Sequence, residues 1–324
     1  MTPDLYNYQA EKPFSQKDLV TLQDYSQDEI YQILGKALDL KQKHKAGIPH
    51  PYLSGKTLGM IFSKSSTRTR VSFDVGIYQL GGYAVVLNTG DIQLNRGETI
   101  SDTAKVLSRY LDGIMIRTYK QQDVEELARY SSIPVINGLT DLFHPCQVLA
   151  DLMTIYEKKN TLAGLKLAYI GDGNNMSHSL LIGCTKVGMH ISAACPENYT
   201  PEPEIIEKAR KNGMVTGAEV LVTQDPVEAI RDADVVYTDV WVSMGREEES
   251  AQRINQFATY QVNRELFSHA KHDAIFMHCL PAHRGEEVTS DIIDGPNSVV
   301  FDEAENRLHA QKAIMALLMA DKDK

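Results

Sequence analysis

The stretch Ser63-Lys64-Ser65-Ser66-Thr67-Arg68-Thr69-Arg70 gathers hydroxyls and guanidinium groups in the way an anion site requires. It follows the apolar run Thr57–Phe62, which reads as a buried strand. It precedes Val71–Leu80, whose apolar spacing suits a helix that Gly81-Gly82 stops. At such a strand-to-helix turn the first backbone N–H groups lack intrahelical acceptors, and the dipole's positive end adds to their pull on negative charge. Arg68 and Arg70 oppose that dipole, so a capped surface turn leaves them unexplained, whereas their forked donors match phosphate oxygens. Two further cations stand at comparable places. Arg117 ends the apolar run Gly113–Ile116, and Arg307 sits near the start of a helix opening at Asp302. Together these four arginines point to an enzyme or binder for a small phosphorylated molecule.

Other groups with chemical potential stand where elements begin or end. In His144-Pro145-Cys146-Gln147, Pro145 fits a first helical position. That puts His144 at the N-cap and Gln147 in the first turn, both able to face a ligand. Asp239 and Cys279 each end an apolar run, placing a carboxylate and a thiol at strand ends. Asn174 and Asn175, after Gly171-Asp172-Gly173, offer neutral amides at another strand-to-helix turn. That glycine pattern partly imitates a dinucleotide fingerprint. However, Met176 replaces the third Gly and no acid ends the next strand, so a nicotinamide-dependent oxidoreductase is a remote alternative.

Positioning these groups takes strands whose carboxyl ends open onto one edge, where parallel α/β sheets gather ligands. A first helix is expected at about Ser26–His44. Strands follow at Thr57–Phe62, Tyr83–Leu87, Gly113–Arg117 and Ile133–Ile136, with a helix from the Thr99-x-x-Asp102 cap to about Tyr110 and others at Val124–Tyr130 and His144–Lys158. After the polar joint Lys158-Lys159-Asn160, a second alternation places strands at Leu165–Ile170, Ile191–Cys195, Val220–Thr223, Asp234–Thr238, Ala274–Met277 and Ser298–Phe301. The expected fold is α/β, with two doubly wound parallel-sheet domains bridged by helices. The domains are expected at 1–150 and 151–303, with a C-terminal helix at 304–322 packing back onto the first.

Composition narrows the class. At 324 residues the chain has room for two domains, and 43% hydrophobic with 23% charged residues suits a soluble globular protein. A net charge of −10 argues against a nucleic-acid or anionic-membrane partner, so an anionic substrate needs a local cationic pocket. No apolar run approaches the roughly 20 residues that span a bilayer. The opening Met1–Asn7 lacks the basic-then-apolar order of a secretory signal. The four cysteines show no Cys-x-x-Cys spacing and read as reduced thiols, with no metal site, in a cytoplasmic protein.

Four segments carry a resemblance: Ser66-Thr67-Arg68-Thr69-Arg70, His144-Pro145-x-Gln147, Asp239-x-x-x-Ser243-Met244-Gly245 and His278-Cys279-Leu280-Pro281. In order and spacing they resemble the motif series of the aspartate/ornithine transcarbamylase family, from about Leu53 to the final helix. The first two are shared across that family and imply carbamoyl phosphate as donor; the last two resemble its ornithine branch. The family implies that Ser66, Thr67, Arg68 and Thr69 hold the phosphate and that Arg117 bridges phosphate and carbonyl oxygen. His144 and Gln147 would bind the carbamoyl group. Gln93, on a polar Gly-punctuated loop, would reach a neighbouring subunit's site in a homotrimer or a multiple of trimers. Asn175, Asp239, Ser243 and Met244 would bind ornithine, and Cys279, Leu280 and Arg307 would complete the site. Cys146 stands where many bacterial relatives carry Thr. The putrescine-using relatives, the nearer alternative, carry a Tyr-Gly type loop in place of Ser243-Met244-Gly245. Relatives using acylated ornithine have a proline-rich insert for which there is no room between Gln147 and Asp239.

The implied reaction joins carbamoyl phosphate and L-ornithine to give L-citrulline and phosphate, in arginine biosynthesis or the arginine deiminase pathway. It needs no cofactor. Arg117 and His144 would stabilise the oxyanion, an effect of about 3–4 kcal/mol per fixed donor. An alkyl amine with a pKa of about 10.4 arrives protonated at pH 7, so Asp239 and Cys279 would orient it and help take its proton.

Overall fold

Each sheet strand pairs parallel to its neighbours, and the inner strands are buried along nearly their whole length and read as near-continuous apolar runs. The computed structural model describes residues 1–88, 90, 97–242 and 250–320, without the side chains of 250–252. The chain divides into two compact units. The first comprises Asp4–Met153 with the stretch from Arg307 onward, and the second Met1–Pro3 with Thr154–Asn306.

The first unit opens with α1 (Gln27–Lys45), then alternates β1 (Thr57–Phe62), α2 (Arg68–Gln79), β2 (Tyr83–Asn88), α3 (Ile100–Leu107), β3 (Gly113–Arg117), α4 (Gln121–Tyr130) and β4 (Val135–Leu139) before α5 (Pro145–Lys159). A capping box starts α1: Ser26 Oγ accepts from Glu29 N at 3.2 Å, and Glu29 Oε2 accepts from Ser26 N at 2.9 Å. The sheet order is β2-β1-β3-β4. Ile61, Ile114, Ile116 and Val135 from the strands pack with Ala104 of α3 and Val124 and Leu127 of α4. Each buried Ile, Leu or Val among them contributes about 1.5–3 kcal/mol.

In the second unit β5 (Lys166–Ile170), α6 (Asn175–Lys186), β6 (His190–Ala194), α7 (Pro203–Thr216), β7 (Val220–Thr223), α8 (Pro226–Ile230) and β8 (Val235–Thr238) alternate. Then come α9 (Ser250–Phe257), α10 (Arg264–Phe267), β9 (Ile275–His278), α11 (Ser290–Ile293) and α12 (Val300–Met319). The sheet order is β7-β6-β5-β8-β9. Its core joins Ile170, Val236 and Phe276 to Trp241 and Phe257. The unit boundaries fall inside α5 and inside α12.

Each sheet has a switch point where the strand order reverses, between β1 and β3 and between β5 and β8. The crevice beyond the carboxyl ends at such a point is where open α/β sheets take ligands. Arg117 and Asp239 stand there, each at or just past the end of its strand.

Several elements depart from the sequence expectation. No strand forms at Ser298–Phe301. Ser298 makes one isolated bridge to Phe276, and α12 begins at Val300. The β-branched run looked like a strand, but Asp302 and Glu303 in the first turn favour a helix start. Arg307 therefore lies about two turns inside α12, and the dipole argument that singled it out does not hold there. Strand β4 runs Val135–Leu139, starting after Pro134, which has no N–H for the ladder. Helix α2 starts at Arg68, inside the basic stretch, and α3 stops at Leu107. All four cysteines are free, and among the described residues no helix is long and apolar enough to cross a membrane.

Candidate active site

In the first unit, the strand-to-helix turn after β1 is tied to the end of β3, where Ser63 N donates to Arg117 O at 2.8 Å. The Thr67 side chain makes no capping bond at the start of α2, while Ser66 Oγ accepts from Thr69 N at 3.2 Å. Thr69, Arg117, His144, Gln147 and Arg307 are all buried, whereas Ser66 and Arg68 are half-buried and Thr67 is exposed. The sequence therefore converges on this point from four separate elements.

Arg307 is the hub of the cluster. Its Nη2 donates to Thr69 Oγ1 at 2.8 Å, and its Nη1 donates to Gln147 Oε1. The same Nη1 stands 3.4 Å from His144 Nε2. A guanidinium only donates, so His144 Nε2 faces it as an acceptor and the imidazole proton belongs on Nδ1. Burial, then the charges of Arg307, Arg117 and Arg68, hold the His144 pKa well below its usual 6.5. His144 is therefore a neutral N–H donor at neutral pH, not an imidazolium.

The two arginines of the basic stretch diverge. Arg68 lies close enough to His144 to depress its pKa, whereas Arg70 lines an open concavity of about 510 Å³ in front of the turn. Lys64, which the sequence reading passed over, lines the same concavity. Its buried ammonium is paired with Asp141 and lies 4.2 Å from the centre of the Tyr119 ring. Its place between two serines was the available signal.

The second unit has its own polar cluster at the ends of β5, β8 and β9. Asn174 caps α6, its Oδ1 accepting from Met176 N at 2.9 Å. Its Nδ2 donates to Asp239 Oδ2 at 2.9 Å. Asp239 Oδ1 accepts from Val240 N at 2.8 Å and from the Cys279 thiol at 3.1 Å. Asn174 thus holds the carboxylate, while Asn175 is the first residue of α6. The sequence reading noted both amides but assigned binding to Asn175 alone.

Cys279 is presented by a shaped turn. His278 Nδ1 accepts from Leu280 N at 2.9 Å, which puts the ring proton on Nε2, 3.1 Å from Glu287 Oε1. Leu280 has φ 57°, a left-handed conformation costing about 1–2 kcal/mol in a residue with a Cβ. Glu303 Oε2 accepts from His278 N at 2.9 Å and its Oε1 from Tyr237 OH at 3.1 Å, fixing the ends of β8 and β9. Of the residues expected in the site, Gln93, Ser243 and Met244 lie outside the described residues.

The first unit can thus hold an anion beside a carbonyl-polarising imidazole, and the second can hold a cationic amine against a carboxylate and a thiol. Residues 17–157 match the family model described as aspartate/ornithine carbamoyltransferase, carbamoyl-P binding domain. Residues 163–318 match the one described as aspartate/ornithine carbamoyltransferase, Asp/Orn binding domain. An ornithine carbamoyltransferase of Oceanobacillus iheyensis is 63% identical over 94% of this chain and 95% of its own length. That of Thermococcus kodakarensis is 60% identical over 94% of this chain and 96% of its own. The solved ornithine carbamoyltransferase from Pyrococcus furiosus superposes with a TM-score of 0.92 at 57% identity, covering 95% of this chain and 98% of that one. With both domain models matched in order along most of its length, the chain belongs to the aspartate/ornithine carbamoyltransferase family.

Proposed function

We propose that this chain is an ornithine carbamoyltransferase, converting carbamoyl phosphate and L-ornithine to L-citrulline and phosphate. The observation that carries this reading is the Arg307 hub, which brings Thr69, Gln147 and His144 together from α2 and α5. The phosphate sits at the N-terminus of α2, held by Ser66, Thr67, Arg68 and Thr69, with Arg117 and Arg307 supplying charge. Gln147 meets the carbamoyl group and His144 donates its neutral N–H to the carbonyl oxygen. Asp239, held by Asn174, takes the cationic δ-amine of ornithine, beside Asn175, Ser243, Met244 and Leu280. Asp239, with the Cys279 thiol beside it, first accepts one proton from the δ-ammonium and passes it to solvent, and the lone pair so freed attacks the carbamoyl carbon to form the C–N bond. The C–O bond to phosphate then breaks, and the second proton, lost from the newly bonded nitrogen, goes to the departing phosphate. Arg117 and His144 stabilise the intermediate oxyanion, each worth about 3–4 kcal/mol as a fixed donor.

The enzyme works as a homotrimer or a multiple of it, with Gln93 reaching into a neighbour's site, in the cytoplasm, where free thiols persist. Supporting this assembly, α2 turns Val71, Val75 and Tyr78 outward, and Tyr83 of the edge strand β2 is exposed too. The physiological direction is synthesis; a relative 58% identical, from Pyrococcus furiosus, is named anabolic. Citrulline production from carbamoyl phosphate and ornithine, run beside putrescine, aspartate and N-acetylornithine, tests the reading. Ornithine-selective carbamoylation is expected. Preference for putrescine would overturn the acceptor, and no carbamoylation at all would overturn the chemistry. Sedimentation velocity should show a species at three chains or a multiple; a monomer would remove Gln93 from the site.

A further inference from the structure

Glu287 is fully buried, and among the described residues no lysine or arginine pairs with it. Its Oε1 accepts from His283 N at 2.6 Å and lies 3.1 Å from His278 Nε2. Its Oε2 is buried without a hydrogen-bond partner and faces the His283 ring, 4.0 Å from Nδ1 and too far to accept from it. Buried carboxylates are costly unless they are paired or hold a metal. Glu286 Oε2 lies 3.8 Å from the same ring nitrogen. One ligand atom from each of His283, Glu286 and Glu287 lies within 4.8 Å of the other two.

The turn that makes this cluster is held in place from several sides. Glu286 N donates to His283 O at 2.9 Å, and Gly285, third in the turn, has φ 91°, the left-handed value that position requires. Gln261 Nε2 donates to the carbonyls of Gly285 and Glu286 at 2.9 and 2.7 Å. Arg284 lies between the candidate ligands in sequence, but Asp294 engages it through Nε at 2.8 Å and Nη2 at 2.7 Å. That guanidinium is therefore not the counter-ion of Glu287.

We propose that His283 Nδ1, Glu286 Oε2 and Glu287 Oε2 form a site for a divalent transition-metal ion that braces the turn presenting Cys279. One imidazole with two carboxylates suits zinc or a related ion better than magnesium or calcium, which favour oxygen ligands alone. Zinc bonds of about 2.0–2.2 Å set tetrahedral ligand atoms about 3.4 Å apart. The exposed His283 and half-buried Glu286 side chains close the small remaining gap, and water completes the set. Glu287 is then shared: Oε2 meets the ion while Oε1 holds His278, whose Nδ1 accepts from Leu280 N at 2.9 Å. Such a bonded carboxylate fixes both its ligand atom and the group behind it. The site uses no cysteine, and it stands whichever amine the protein carbamoylates.

A second cluster, Asp239 with His278 and Cys279, could also take a metal ion, so the experiment separates the two. Zinc is titrated calorimetrically into chelator-treated protein as wild type, His283→Ala, Glu286→Gln and Cys279→Ser. Melting temperatures are measured with and without zinc. Wild type should bind zinc at micromolar concentration and melt about 3 °C or more higher when saturated. His283→Ala and Glu286→Gln remove side chains at the surface, so the zinc-free proteins should melt close to wild type. Each should weaken zinc binding by about tenfold or more and lose most of the shift. Cys279→Ser should keep both. Cobalt(II) in place of zinc should show visible ligand-field bands without a thiolate charge-transfer band. With zinc, hydrogen exchange at the Leu280 amide should slow. Absence of zinc binding in wild type overturns the proposal. So does a thiolate band, or binding that survives His283→Ala and fails in Cys279→Ser, because either places the ion on Cys279. Unchanged exchange at Leu280 overturns the brace.

Discussion

Arg307 Nη2 donates to the Thr69 hydroxyl at 2.8 Å, joining residues 238 positions apart. Because the guanidinium fills one acceptor site on Thr69, the hydroxyl proton is left for an anion at the start of α2. Thr69→Val should therefore cost roughly tenfold to a hundredfold in kcat/KM for carbamoyl phosphate, and Arg307→Gln about 10²–10³. The two act through one bond, so the double variant should lose much less than the product of the single losses. Steady-state kinetics on the four proteins checks this, and strictly multiplicative losses would show that the residues act independently.

The neutrality of His144 makes a second, separable prediction. Its folded pKa lies well below 6.5, so its charge does not change between pH 6 and 8. His144→Gln should lower kcat by about 10²–10³ while leaving the shape of the pH profile as it was. The rise in rate with pH in that range then belongs to the ornithine amine, whose pKa is about 10.4. An inflection near 6.5 in the wild-type protein that disappears in His144→Gln would mean that the imidazolium takes part.

The strand-to-helix turns were legible because their signals are local. The run ending at Phe62, the hydroxyl-rich turn and the helix that follows can be read in a dozen residues, and so can His144 before Pro145. Arg307 was found for a reason that the structure removes. It lies two turns into α12, and only its tertiary partners explain a buried cation there. Asn174 is legible as an amide at a turn, but nothing in its spacing says that it holds the Asp239 carboxylate. Residues Ser298–Phe301 show the limit of pattern reading, since β-branched residues before an acidic pair suit a strand or a helix start equally well.

Arg253 illustrates such a hidden role in the second unit. Fully buried, its Nη1 donates to Asp172 Oδ2 and to Trp241 O, each at 2.7 Å, and its guanidinium lies 4.6 Å from the centre of the Tyr199 ring. It thereby ties the turn before Asn174 to the segment just after Asp239. Arg253→Met leaves Asp172 charged and buried without this partner, and should cost about 3–5 kcal/mol of stability. Adding Asp172→Asn should recover part of that loss. The KM for ornithine should rise in Arg253→Met while that for carbamoyl phosphate stays close to wild type. Denaturant melts and kinetics on the folded variants check both, and an unchanged ornithine KM would confine Arg253 to a structural role.

His309 makes the protein's stability fall on the acid side. It is fully buried in α12, with its ring centre 5.7 Å from that of His44. Burial first, then the charges of Lys312, Lys41, His44 and Lys45, lowers its pKa to about 2. The unfolded chain takes up this proton near pH 6.5 and the folded chain does not, so below 6.5 the unfolded state binds more protons. Stability therefore drops as pH falls through 6.5, approaching about 1.4 kcal/mol per pH unit from this group at lower pH, and the loss continues toward the folded pKa. His144, buried and neutral for the same reasons, adds a loss of the same sign. His309→Leu should flatten the dependence between pH 6.5 and 5 by about one proton's worth, measured from urea midpoints at several pH values. An undiminished slope in that variant would show that the folded protein accommodates a charged His309.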